Sequence, residues 1–267
     1  MTTVMGFGGK LGVLLGVLAG AMGLHHRHPQ LIDVQAPNPP AVAHAASSQP
    51  LAGKTVGVDP GHNGRNYSDP AYIDRQIWNG REYEDCNTTG TETDAGYTEA
   101  EFNWRVGTFL VADLKAEGAR VVLTRHNNDG VGPCVNTRAA IFNDAHVDVG
   151  VAIHGDGGPA DGRGFAILTP VADGINNAVI GASGRFARIL RGDFLKDTGM
   201  PYSTYDGVDA LQPRDDLAGE NLTKVPYVLI ECGNMRNGTD AELMASTAFQ
   251  QKAAAGIAAG ITAYLTK

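Results

Sequence analysis

Four residues of this chain could do chemistry together: His62 in VDPGHNG, Glu99 in TEAEFNW, His154 in VAIHGDG and Glu231 in VLIECGN. His62, His154 and Glu231 each stand at the end of a short apolar, β-type run: KTVGVD, VDVGVAI and VPYVLIE. In an open parallel sheet the ends of such strands share one edge, and ligands bind there. Glu99 opens a helical stretch and can reach across that edge from a helix N-terminus, where its charge is favoured. Two neutral imidazoles and one carboxylate are a common catalytic zinc set, with a fourth position left for water. A second carboxylate can then act as general base on that water. Taken singly, a strand-end histidine is ordinarily a hydrogen-bonded loop residue, and Glu99 a helix N-terminal charge. Glu231 stands out even alone: a carboxylate between four apolar residues and Cys232 is partly buried, which is unfavourable without a partner or metal.

The elements that must position these residues alternate between strand and helix. Lys54–Asp59 reads as a strand closed by Pro-Gly. Thr98–Glu117 reads as a helix with Phe102, Val106, Phe109, Leu110 and Leu114 on one face and Gly118 as its stop. Ala119–Thr124, Val147–Ile153, Gly164–Thr169 and Val225–Glu231 read as strands. Helices are expected over Thr137–Ala145, within Ile175–Thr198 and over Thr247–Leu265. The pattern predicts a single α/β domain, a twisted, mostly parallel or mixed sheet with helices on both faces. Asn63–Tyr97 shows little apolar periodicity and reads as a long loop, of the kind that is functional or pinned. Met200–Leu222 reads as a polar connection that walls the groove, with Tyr202, Tyr205 and Leu211 facing a peptide.

The 267 residues carry a formal charge of −8 and no Lys/Arg run, so a nucleic-acid-binding or basic membrane-binding face has no footprint. Leu11–Leu24 is an apolar run after Lys10, suited to a secretory leader and short for a membrane span. A Pro/Ala/His-rich spacer follows it, giving an export segment over 1–45 and a catalytic domain over 46–267. Ala43-His44-Ala45 offers a cleavage site after Ala45; cleavage nearer Gly23 and retention as an N-terminal anchor are the alternatives. Without 1–45, only His62, His126, His146 and His154 remain for chemistry. Export permits disulfides. Cys86 and Cys134 lie in loop sequence and are expected to pair, leaving Cys232 as a buried thiol within an apolar run.

VDPGHNG, EAEFNWRVG, VAIHGDG and VLIECGNMRN resemble, in order, the four motifs of the zinc-dependent N-acetylmuramoyl-L-alanine amidases of the amidase-3 family. The likeness spans residues 51–267, and GPCVNTRA, GGPADGRGF and DLAGENL are similar to the secreted mycobacterial and related actinobacterial members. Three details depart from the pattern. Ala152 and Asp156 stand where the third motif usually has Ser and Asn, and Cys232 occupies a position that is commonly small or apolar. In the second motif Glu101 competes with Glu99, which Asn103 and Trp104 follow at the family's spacing.

The resemblance implies one Zn2+ per chain on His62, Glu99 and His154, with Glu231 as the catalytic glutamate. The implied reaction is hydrolysis of the amide between the lactyl group of N-acetylmuramic acid and L-alanine. The substrate is then peptidoglycan or muropeptide fragments, met in the periplasm or cell wall or after secretion, by a monomer with no membrane span in its mature form. Asp59 and Asn234 are expected to orient ligands, and Asp156 to hydrogen-bond a ligand or contact substrate. Arg138 is expected to form a structural ion pair or to anchor the helix before the His154 strand. Two other readings remain open: a catalytically silent zinc-containing wall-binding or regulatory module, and a zinc peptidase on the same scaffold.

Overall fold

The computed structural model describes residues 49–267, so the export segment expected over 1–45 lies outside the described residues. The first half of the described chain contains β1 (Thr55–Pro60), α1 (Pro70–Ile73), β2 (Gln76–Trp78), β3 (Tyr83–Asp85), α2 (Glu99–Ala116), β4 (Arg120–Leu123) and α3 (Val135–Asp144). There follow β5 (Val149–Asp156), β6 (Ala166–Pro170), α4 (Ile180–Thr198), β7 (Leu211–Arg214) and α5 (Ala218–Leu222). β8 (Tyr227–Asn234), α6 (Gly238–Ala245) and α7 (Thr247–Thr266) complete the chain. One six-stranded sheet runs β4-β1-β5-β8-β6-β7, with β2 and β3 paired separately. β4, β1, β5 and β8 are mutually parallel, whereas β6 is antiparallel to β8 and parallel to β7. The sheet is therefore mixed and mostly parallel, as the sequence predicts.

Side chains alternate across each strand, and the two faces differ in what covers them. One face presents Val56, Val58, Val149, Val151, Ile153, Val228 and Ile230 to Phe102, Val106, Leu110, Phe186, Leu190 and Ile257 of α2, α4 and α7 in one continuous core. The other face carries Ala152, Tyr227 and Leu229 against Phe142 of α3. Gly57 and Gly150 also lie on this face. A Cβ at either would stand 2.7 or 2.9 Å from the Phe142 ring, so their lack of side chains lets α3 pack closely. The same two-residue period, carried to the strand ends, puts Asp59, His154 and Glu231 on this more thinly covered face. Among the described residues, no helix is long and apolar enough to cross a membrane.

Two segments are more structured than their sequences suggest. Asn63–Tyr97 contains α1 and the β2–β3 hairpin, and Met200–Leu222 contains β7 and α5. Elements of three to five residues are too short to display a hydrophobic period. β5 and β8 also run past the apolar residues that announce them, so His154 and Glu231 lie within strands rather than beyond them. Their pairing continues because it uses backbone groups, which polar side chains do not interrupt. Cys86 and Cys134 are disulfide-bonded, and Cys232 is free and buried, as expected.

Candidate active site

Each site residue arrives by a different local device. Glu99 is the first residue of α2, capped by Thr98, whose side chain accepts the Glu101 N–H. Gly107 lets α2 lie close on β1, because a Cβ there would stand 2.7 Å from Pro60 Cγ. That approach brings the helix N-terminus to the sheet edge. His62 follows β1 in a left-handed conformation (φ 55°), which turns it back over the strand ends. His154 and Glu231 are lateral neighbours in the β5–β8 ladder, and the register shifts just beyond them.

Together the side chains form a compact trio. Glu99 Oε1 lies 3.1 Å from His62 Nε2 and 2.8 Å from His154 Nδ1. The three candidate ligand atoms lie within 4.8 Å of one another, the only such His/Cys/Asp/Glu group among the described residues. Zinc at about 2.0–2.1 Å from each of two tetrahedral ligands separates those ligands by roughly 3.3 Å, against 3.1 and 2.8 Å from the shared Glu99 oxygen to the two imidazoles. The surroundings fit such an ion as well. His62 Nδ1 is 3.1 Å from the Thr88 carbonyl oxygen and 3.2 Å from the Thr88 hydroxyl, so this ring nitrogen is engaged there while Nε2 faces Glu99. Glu99 Oε2 accepts the Thr91 N–H at 3.0 Å, while Asn103 Nδ2 donates to Oε1 at 3.3 Å. Two glycines make the space: a Cβ on Gly61 would stand 2.2 Å from the His154 ring, and one on Gly90 would stand 2.6 Å from Glu99 Oε2.

Charge is distributed unequally between the two glutamates. Burial disfavours the Glu99 carboxylate, yet His62 and His154 override it and hold the group well below its ordinary range. Burial likewise opposes charge on His62, and Glu99 raises it. Glu231 goes the other way. Burial first, then the carboxylates of Glu99, Asp156 and Asp206, push it well above the ordinary range, and its Oε2 is buried without a hydrogen-bond partner.

The remaining expected residues support the site from a distance. Asp59 is buried, accepts from Thr124 and pairs with Arg138 Nη1 at 2.5 Å, making no hydrogen bond to the trio. Arg138 also donates to the backbone oxygens of Pro60 (3.0 Å) and His62 (2.7 Å), clamping the turn that carries His62. Asn234 donates to the Pro159 and Gly162 carbonyls, each at 2.8 Å, and so holds the loop after β5. Asp156 accepts from Tyr205 Oη at 2.7 Å and shares a cavity of about 240 Å³ with Glu231, Asp206 and Arg214. Sequence reading missed Thr88, Thr91 and Arg125. Thr88 and Thr91 act through a backbone carbonyl and N–H, which leave no residue-type signal, and the Thr88 hydroxyl adds a contact of 3.2 Å with His62 Nδ1. Arg125 is buried and donates to the oxygens of Pro60, Gly61 and Ala100, tying β1 to α2.

A mostly parallel sheet with a His–Glu–His trio and a nearby unpaired glutamate at one edge defines a hydrolase with a candidate metal site. Comparison with known proteins gives the particular family. Residues 56–263 match the family described as N-acetylmuramoyl-L-alanine amidase, amidase-3. The chain is 43% identical over 224 residues to the N-acetylmuramoyl-L-alanine amidase Rv3717 of Mycobacterium tuberculosis, covering 83% of this chain and 91% of that protein. Its fold is similar to the crystal structure of the amidase Ami1 of Mycobacterium smegmatis (TM-score 0.76, 43% identity, 80% of this chain and 98% of that one). The apo Ami1 of Mycobacterium abscessus is similar at TM-score 0.76 and 40% identity, covering 80% of this chain and all of that one. The chain belongs to the N-acetylmuramoyl-L-alanine amidase family and is a peptidoglycan hydrolase.

Proposed function

We propose that His62, Glu99 and His154 hold one zinc ion and that Glu231 is the general base for hydrolysis of the lactyl–L-alanine amide. The observation that carries this reading is the single Glu99 oxygen shared by both imidazoles, with an unpartnered Glu231 carboxyl beside His154 in the ladder. When bound by these three residues, zinc would supply Lewis-acid chemistry at the scissile carbonyl and the attacking water, and a positive charge there would favour the ionised form of Glu231. Glu231 takes the proton of the attacking water on a carboxylate oxygen and returns it to the alanine nitrogen as the C–N bond breaks. The products are the free lactyl carboxylate and a peptide beginning at L-alanine. Thr88 and Thr91 keep the trio in register throughout.

Residues 46–267 form the catalytic unit, residues 1–45 direct export, and the protein works as a monomer on wall material or its fragments. The disulfide supports an oxidising compartment. Mass spectrometry of a defined muropeptide tests the reading. Release of free N-acetylmuramic acid and intact peptide, blocked by a chelator and restored by zinc, is the expected result. Cleavage inside the stem peptide would make the protein a zinc peptidase, and zinc binding without cleavage would make it a silent wall-binding module.

A further inference from the structure

Two cavities of different character adjoin the trio. The wide one, about 750 Å³, is lined by polar groups including Asn63, Tyr67, Thr89, Thr91 and Arg236. The narrow one, about 170 Å³, begins at His62 and His154, passes Phe142 and Leu229, and includes Glu84, Glu220 and Thr223 in its lining. Residues 61–62 and 87–88 line the narrow cavity and residues 63–64 and 89–91 the wide one, so these two segments partition the groove.

The narrow cavity has an unusual acidic lining. Glu220 is only 1% exposed, yet neither of its carboxyl oxygens has a hydrogen-bond partner, and the buried Thr223 hydroxyl also lacks one. Nearby cations are committed elsewhere: Arg138, which lies in the lining itself, is paired with Asp59. Arg214 grips Asp216 through Nε (2.7 Å) and Nη2 (2.6 Å), and Arg81 donates to the Val171 and Ala172 carbonyls and to Asn221. Glu84 lines the same cavity with one oxygen on the Ala218 N–H. An unpartnered buried carboxyl is unfavourable, and here it belongs to the lining of a cavity that also touches His62 and His154.

We propose that this cavity is a subsite for a primary ammonium group borne on an unbranched side chain of the stem peptide, with Glu220 as its counter-charge and Thr223 and Glu84 as further acceptors. The inference rests on the amidase reading above. Size and lining select the ligand. At about 30 Å³ per water-sized group, the cavity has room for five or six such groups, an aminoalkyl chain but not an N-acetylated sugar. Phe142, Leu229 and Ala139 suit methylenes, and the carboxyls suit a charged tip. Apolar walls do not supply the oxygen cage that a hard divalent cation requires. Burial pushes Glu220 up to about 8 and Glu84 to about 7, so an arriving ammonium displaces a proton rather than another cation. For a chain of net charge −8, long-range steering toward an anionic polymer is absent, and a cationic group on the substrate supplies attraction inside the cleft.

The test uses two muropeptides that differ only in whether a lysine-type side-chain amine of the stem is free or N-acetylated. The wild-type chain should prefer the free amine by tenfold or more in kcat/KM, mainly through KM. Glu220→Gln should bring that ratio to within about twofold, with its fold checked by melting temperature. Should that variant not fold, Glu84→Gln, at a half-buried position, should at least halve the ratio. No preference in the wild type, or a preference that survives the substitution, would overturn the subsite. Wild-type cleavage of the acetylated muropeptide at the lactyl–alanine bond reports separately on the amidase reading.

Discussion

Two regions meet at the candidate site and are held by different physics. The floor is the carboxyl edge of β1, β5 and β8, where Asp59, His154 and Glu231 follow from the strand period on a sheet packed on both sides. The wall, residues 61–97, has only short elements and owes its shape to a few discrete fastenings. The Cys86–Cys134 bond ties it to the start of α3. Asn66 donates to the Thr88 carbonyl and accepts the Gly132 N–H, and Asn87 donates to the Pro133 carbonyl. Thr88 and Thr91, which orient two of the three trio residues, sit on this wall. The floor therefore gives the site its position, and the wall gives two of the trio their orientation.

The largest effect should come where the regions meet. His154→Ala removes a proposed zinc ligand from the floor, and zinc content and kcat/KM should both collapse, the latter by about 10³-fold or more. Metal analysis and turnover of a muropeptide check this. Next is the floor's own buried ion pair. Asp59→Asn leaves the Arg138 guanidinium without its carboxylate, and urea denaturation should show a loss of about 3–5 kcal/mol.

Opening the wall should act differently. Replacing Cys86 and Cys134 by Ser releases a cross-link spanning 48 residues, with an expected loss of about 2–4 kcal/mol. Hydrogen exchange should rise in 63–97 and leave β5 and β8 protected. Equal loss of protection in both regions would erase the distinction between them.

The last effect concerns pH. Burial raises the Glu220 carboxyl from its ordinary 4.5 to about 8, so between those values the folded chain keeps a proton that the unfolded chain releases. Stability should then fall as pH rises through that window. Glu84, at about 7, contributes with the same sign. Glu220→Gln should reduce the slope of melting temperature against pH without abolishing it.

The same division explains what the sequence makes legible. His62, His154 and Glu231 could be placed on one edge because apolar β-type runs announce the strands that carry or precede them, and α2 announces Glu99 through its Phe102–Leu114 face. The pairing of Cys86 with Cys134 was readable from their loop surroundings. The β2–β3 hairpin, β7 and α5 were not, because three to five residues carry no period. Thr88 and Thr91 were hidden for another reason: a backbone carbonyl or N–H looks the same in every residue, and the Thr88 hydroxyl beside His62 lies in a segment with no period to place it. Asn234 stands in a recognisable motif, but its two donor bonds go to the Pro159 and Gly162 carbonyls, a partnership that exists only once the loop after β5 has folded.

The central claim is that Glu231 does chemistry beside a metal held by three other residues. Glu231→Gln tests it most directly when zinc stoichiometry and muropeptide turnover are measured on the same preparation. The account predicts about one zinc per chain, as in the wild type, with turnover reduced by about 10²–10⁴-fold. Zinc lost together with activity would make Glu231 part of the ligand set, and undiminished turnover would remove it from the reaction.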